Sequence, residues 1–277
     1  MEIEREMHAL WLYLKDNVKC GGKPSEVIGR PERCRNKHNF TSEENNLVLD
    51  YQLVHPIATP IRELIHRQNY SRTRLYELEI GDASRKIVEI IFRNALMGPS
   101  RSTRRIKSVI KVQNSMQTLE RFENYREKVK TAADSRCMKH ARCTVDGNEL
   151  LRFYGTTMAC RREKSRRVVS ELCKNPTCRV CRILQSNFRI ECTLNNGIQM
   201  SSSSEDFSEI AIPFTKIKNM ERAVIVCRTI AGSMRSNNEE YNAYDSIRKE
   251  KGYDKYSRNV TVWNPSALLP CFVIVFT

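Results

Sequence analysis

The chain has 277 residues, enough for one large or two small domains; 40% are hydrophobic and 29% charged, and with only 10 glycines and 9 prolines it is neither fibrous nor low-complexity. Lysine and arginine outnumber aspartate and glutamate 47 to 32, a formal charge of +15, which draws polyanions to the surface or serves solubility alone. No apolar run approaches the ~20 residues of a membrane helix, and Met1-Glu2-Ile3-Glu4-Arg5 lacks the apolar stretch of a secretory signal, so the expectation is an intracellular chain without a membrane span, its 11 cysteines reduced.

Residues 1–70 read as poorly ordered, with a short helix at Trp11–Leu14 and with Gly21, Gly22, Pro24, Gly29 and Pro31 breaking any regular pattern. Cys20, Cys34 and His38 suggest the remains of a zinc finger, but no second histidine follows at finger spacing. Order is expected from Leu75, and 75–136 is read as a helical region packing on the C-terminal domain. Its first helix starts after Gly81, with Asp82 or Ser84 as the N-cap, and turns Ile87, Ile90, Ile91 and Asn94 to one face. Ile106–Val112 is a strand or a helix lead-in. The clearest helix spans Ser115–Ala133, with Met116, Leu119, Phe122 and Val129 on its apolar face.

The second half reads as strands. Leu150–Tyr154 forms one that ends at Gly155, Phe188–Leu194 alternates weakly, and Ala223–Cys227 has the unbroken apolarity of a buried strand. Val260–Trp263 is stopped by Asn264-Pro265, and Leu268–Phe276 is rich in β-branched and aromatic residues that demand pairing inside a sheet. Strands following a helical region indicate an α+β fold.

Cys173, Cys178 and Cys181 lie close in sequence, with turn-forming Lys174-Asn175-Pro176-Thr177 between the first two. Three thiolates and one further soft ligand complete a zinc tetrahedron. Cys160, Cys143 and His140 are the candidates for the fourth place, Cys160 heading them, and spacing does not separate them; four small core residues is the alternative. Cys192, Cys227 and Cys271 sit in strand-like apolar runs and read as core.

From Asp146 to Thr157, and again at Cys173–Cys181, Gly197-Ile198, Ala223–Gly232 and Trp263–Cys271, the sequence resembles plant zinc-finger-associated proteins with a C-terminal poly(ADP-ribose) polymerase (PARP) catalytic-like domain. Gly81–Phe92 and Arg121–Arg126 share the resemblance, which covers about 200 residues. It implies an ADP-ribosyltransferase-like domain over 137–277, two packed antiparallel sheets with NAD in the cleft between them. In such enzymes a histidine holds the nicotinamide ribose, an adjacent glycine's backbone pairs with the amide, a tyrosine stacks on the ring, and a glutamate stabilises the cation that develops as nicotinamide leaves. Here the histidine position is Tyr154, while Gly155 and Thr156 are kept for the cofactor. The stacking position falls near Phe207 or Ile210, and the glutamate position is Asn259, which carries no charge. Loss of that carboxylate costs the barrier on the order of 3–4 kcal/mol or more.

Arg161–Arg167, five cations in seven residues, offers a pyrophosphate or nucleic-acid contact, or a solvated loop. The resemblance thus implies a catalytically weak or inactive transferase-like protein that is expected to hold NAD or ADP-ribose, and the basic charge leads to the expectation of a nuclear or cytoplasmic place, the nucleus favoured. The alternatives are an active mono-ADP-ribosyltransferase and a zinc-stabilised regulator associated with nucleic acid.

Overall fold

The computed structural model describes residues 72–96, 104–135, 141–160, 170–204, 220–235, 244–250 and 258–277. In chain order the described elements are β1 (Arg74–Glu77), α1 (Ala83–Asn94), β2 (Ile106–Gln113), α2 (Met116–Ser135), α3 (Ala141–Asp146), β3 (Glu149–Met158), β4 (Ser170–Glu171), α4 (Arg179–Ser186), α5 (Arg189–Asn195), β5 (Ile198–Met200), β6 (Glu221–Ile230), β7 (Met234–Arg235), β8 (Ser246–Glu250), β9 (Arg258–Val262), a 3-10 turn at Pro265–Ala267, and β10 (Leu268–Phe276). The fold is α+β, with a six-stranded sheet in the order β3-β6-β10-β2-β1-β4 and a four-stranded sheet in the order β5-β9-β8-β7. Every pair of the larger sheet is antiparallel, and in the smaller one only β7–β8 is parallel.

The core is organised around β10. All nine of its residues are buried, because β6 and β2 flank it on both edges and neither face of the strand is left to water. Each large side chain so buried contributes roughly 1.5–3 kcal/mol. The strand contains a proline, which has no N–H for a ladder. A bulge at Cys271 absorbs the defect: Pro270 stands opposite Cys227, Phe272 opposite Val226, and pairing with β2 begins only at Phe272. Asn114 donates its side-chain amide to the Pro270 carbonyl at 2.7 Å.

The segment 75–136 is helical only in part. Ile106–Gln113 is a strand inserted between β10 and β1, so this segment and the C-terminal half share one sheet. Asp82 caps α1, accepting from the Ser84 amide at 2.7 Å and the Arg85 amide at 3.3 Å. Its buried face is Val88, Ile91 and Phe92, rotated from the expected Ile87-Ile90-Ile91-Asn94 face; Ile90 is 44% exposed. The Phe92 ring meets Phe276 at 5.0 Å with the planes tilted by 54°. On α2, Phe122 and Val129 are buried as expected, whereas Met116 is exposed.

Two strand expectations need correction. The strand expected to end at Gly155 continues to Met158, since Gly155 pairs with Val224 and the ladder with β6 runs on to Glu221. Phe188–Leu194 is not extended but lies in α5. Asn187 and Phe188 both adopt left-handed backbone, φ 49° and 64°, and this pair of unusual residues turns one short helix directly into the next.

The two sheets meet at Ser201. Beyond β5, Ser201 and Phe153 exchange backbone hydrogen bonds at 2.9 Å, so the free edge of β3 is closed by the strand that also pairs with β9.

Candidate functional site

The motif strand β3 carries Tyr154, Gly155 and Thr156 along the edge that Ser201 closes. In β5–β9 the partners are Ile198–Val262, Gln199–Thr261 and Met200–Val260, and Ser201, the next residue after β5, bridges to Phe153. The strand of Tyr154-Gly155-Thr156 and the strand leading into Trp263 are therefore joined through β5 and Ser201. Asn259 is fully buried. Gly155 is half-buried, and the Thr156 hydroxyl is buried with no hydrogen-bond partner among the described residues. Phe207 and Ile210 lie outside the described residues, as do His140 and Arg161–Arg167.

Tyr154 is a core residue. It is 5% exposed, its hydroxyl donates to Glu191 Oε2 at 2.8 Å, and its ring meets the edge of Phe188 at 5.3 Å. Burial first, and then the Glu191 carboxylate, push the phenol well above its ordinary range. Glu191 is itself 1% exposed and is compensated by Arg179 at 3.4 Å and Arg182 at 3.8 Å. A buried carboxylate demands such partners, and α4 supplies both from positions three apart, on one face.

The same helix carries two of the cysteines. Cys178 occupies the N-cap position of α4 and Cys181 lies in its first turn; Cys160 follows the end of β3, and Cys173 precedes the helix. Their four sulfurs all lie within 4.8 Å of one another, with Cys160 Sγ at 3.6 Å from Cys178 Sγ and 3.8 Å from Cys181 Sγ. The edge of a tetrahedron of thiolates around a zinc-sized ion is about 3.8 Å, from a metal–sulfur distance of about 2.3 Å. Spacing and shape thus fit a metal such as zinc, and Cys160 is the fourth member. Cys143 is not: it is buried elsewhere, its thiol donating to the Gly232 carbonyl at 3.2 Å. Without a metal, the hydrogen bonds among these thiols lower the Cys178 pKa, push Cys160 up to about 12 and raise Cys181.

A polar cluster at the other end of β3 had no local signal in the sequence. Arg228 on β6 is fully buried and binds Glu149 in a fork, Nε to Oε1 at 3.0 Å and Nη2 to Oε2 at 2.9 Å. Arg126 on α2 binds the same carboxylate and also Glu123 at 2.6 Å. Both guanidinium groups lie over the Phe122 ring, at 5.1 and 5.0 Å. Burial alone would lower the Arg228 pKa, but the charge and hydrogen bonds of Glu149, with Glu123 and Cys271 beyond, together outweigh it and hold the guanidinium above its ordinary range. The arrangement fastens α2 onto the sheet and offers no open group for chemistry.

Of the other cysteines read as core, Cys227 and Cys271 are fully buried. Cys192 belongs to helix α5, is half-exposed, and donates its thiol to the Trp263 carbonyl at 2.9 Å. A hollow of about 400 Å³ lies between α2 and the turn after β9, lined by residues that include Arg121, Tyr125, Asn264 and Ser266; a second, of about 460 Å³, lies along α2. Neither takes in Tyr154, Gly155, Thr156 or Asn259. No helix among the described residues is long and apolar enough to cross a membrane. No family model matches the sequence, and no curated protein matches it.

Proposed function

We propose that the chain is a catalytically silent ADP-ribosyltransferase-like protein, a binding or scaffolding module whose motif strand is held by a structural zinc ion. The carrying observation is the buried hydrogen bond from Tyr154 to Glu191. A residue that is to hold a nicotinamide ribose must present a polar group to the cleft. Here that group is turned into the protein and engaged by a carboxylate, which two arginines hold in place. Asn259, at the position of the family's glutamate, brings no charge to a developing cation. The half-buried Gly155 and the unpartnered Thr156 hydroxyl are what remain to meet NAD or ADP-ribose.

Zinc is assigned from the donors: four thiolates at tetrahedral spacing, with soft character and no oxygen ligand. Its chemistry is structural, because four protein ligands leave no open position. It ties the end of β3 to α4, the helix whose Arg179 and Arg182 hold Glu191 against Tyr154.

Incubating the folded protein with labelled NAD is expected to leave all protein unlabelled, and transfer of label to the chain or to an added acceptor overturns the silent assignment. Titration calorimetry with NAD is expected to register binding; without heat, the domain is a scaffold only. Metal analysis of protein never exposed to chelator is expected to find one equivalent of zinc, and less than half an equivalent removes the metal from the reading. The +15 charge favours one second reading, a zinc-stabilised regulator associated with nucleic acid. Its test is binding to DNA or RNA that weakens steeply as salt rises.

A further inference from the structure

Thiols gathered at one point can hold protons, share a metal ion or, once two electrons are removed, bond to one another. The cluster at the start of α4 is arranged for the third state as well as the second. Its four cysteines are free thiols. Cys160 is the hub: its Sγ stands 3.6 Å from Cys178 Sγ and 3.8 Å from Cys181 Sγ. A disulfide needs a sulfur separation of about 2.05 Å, so the shorter of these gaps closes by a movement of about 1.5 Å, within the reach of side-chain rotation.

Access to the sulfurs is unequal. Cys178 and Cys181 are fully buried, whereas Cys160 is only partly buried. A small oxidant therefore reaches Cys160 from solvent while its partners wait inside, and access is what selects a thiol for oxidation. The placement of the sulfurs rests on the backbone. The Cys178 amide donates to the Asn175 carbonyl at 3.1 Å and the Thr177 amide to the Asn175 side chain at 3.0 Å, which closes the turn that leads into α4. The Arg182 amide then donates to the Cys178 carbonyl at 3.1 Å. Cys160 follows a strand whose ladder with β6 runs to Met158. The remaining described cysteines lack the pattern: Cys143, Cys227 and Cys271 are fully buried, and the Cys192 thiol is engaged by the Trp263 carbonyl.

We propose that Cys160 is a site of oxidation by hydrogen peroxide, and that the product is a Cys160–Cys178 disulfide formed as the metal leaves. The Cys160 thiolate attacks one peroxide oxygen, the O–O bond breaks, the sulfur becomes a sulfenic acid, and hydroxide departs and takes up a proton. The Cys178 thiolate then attacks the Cys160 sulfur, the S–O bond breaks, and a second hydroxide departs and is protonated. Two thiols and one peroxide thus give one disulfide and two waters; the sulfurs lose two electrons and the peroxide oxygens gain them. The metal is left with Cys173 and Cys181 alone, half of its donors, and is released. The new bond ties the end of β3 to α4, the same two elements that the metal ties. Metal release rests on the zinc reading given above, and the disulfide stands without it.

The test treats the full chain, purified without air and with its zinc content measured first, with hydrogen peroxide in steps up to one equivalent. Zinc release is followed with a chromophoric chelator, and thiols and disulfides are mapped by mass spectrometry after alkylation and non-reducing digestion. Expected are a linked pair of peptides carrying Cys160 and Cys178, one zinc released for each such link, and reversal by dithiothreitol. Protein that carries no zinc at the outset fails the zinc reading alone, and the mapped link then decides this proposal by itself. Cys160→Ser is expected to slow thiol loss at the cluster about tenfold or more, and Cys192→Ser, on α5 and outside the cluster, to react as the parent does. Should Cys160→Ser not fold, the link in the parent chain remains the deciding measurement. Cys160 recovered as a sulfinic acid without a link, a disulfide confined to Cys173, Cys178 and Cys181, or parental rates of cluster thiol loss in folded Cys160→Ser each overturn the proposal.

Discussion

At Glu149 the strand β3 is fastened by ions that the chain supplies on both sides, Arg126 and Arg228 against one carboxylate; past Met158 lie four thiols spaced so that they could hold a metal ion from solution. The first knot forms whenever the chain folds. The second would need a metal and the loss of the thiol protons. Tyr154, between them, is held by Glu191, whose arginines ride on the helix of Cys178 and Cys181.

The sharpest way to break this comparison is at the sulfurs. Chelation, or Cys178→Ser with Cys181→Ser, is expected to cost on the order of 10 kcal/mol of apparent metal-linked stability at neutral pH, read as loss of the cooperative thermal transition at the Tyr154 end. Proton linkage runs the same way. Each thiol must give up its proton to take the metal, and an ordinary thiol does so near about 8.5. Zinc affinity measured by competition is expected to drop steadily from pH 8 to pH 5.

Glu149→Gln attacks the other knot. It leaves Arg228 buried without a counter-charge and is expected to cost about 3–5 kcal/mol in urea unfolding, with zinc content unchanged; a loss of zinc would show that the two ends of β3 are not independent. Gly232→Ala tests the turn beside that knot. Gly232 has φ 58°, and a Cβ there would sit 2.3 Å from the Asp245 carboxylate oxygen that accepts from the Ser233 amide at 2.9 Å. The expected loss is roughly 1–3 kcal/mol. Tyr154→Phe, the mildest change, removes one buried hydrogen bond and is expected to cost about 1–1.5 kcal/mol. The raised pKa of this phenol means that its stabilisation is complete below the unfolded value of about 10 and is lost as pH rises through the folded one. The variant's urea midpoint should therefore lose less than the parent's on going above pH 10.

The strands that sequence reading found are those with unbroken apolar runs, Ala223–Cys227 and Leu268–Phe276, as buried strands have. The helix at Ala83 was legible because Asp82 is a standard N-cap. Phe188–Leu194 was not, because its start is an Asn-Phe pair in left-handed backbone, a conformation that phenylalanine does not advertise. Three cysteines of the cluster were legible by spacing. The fourth was settled by the ladder of β3, which delivers Cys160 and not Cys143 to the N-terminus of α4. Glu149 and Arg228, 79 positions apart, gave no local sign of meeting, and the placement of β2 beside β10 depends on pairing over a still longer range.

The bulge at Cys271 has one further consequence. A strand of aliphatic and aromatic residues can be threaded through a sheet at more than one offset with nearly equal reward, and a shift of one residue would exchange its two faces. Pro270 and the asparagine that takes its carbonyl remove that freedom, because an imino nitrogen is tolerated at one notch of the ladder and nowhere else. The chain thereby carries its own index mark, which aligns the central strand as it closes the body.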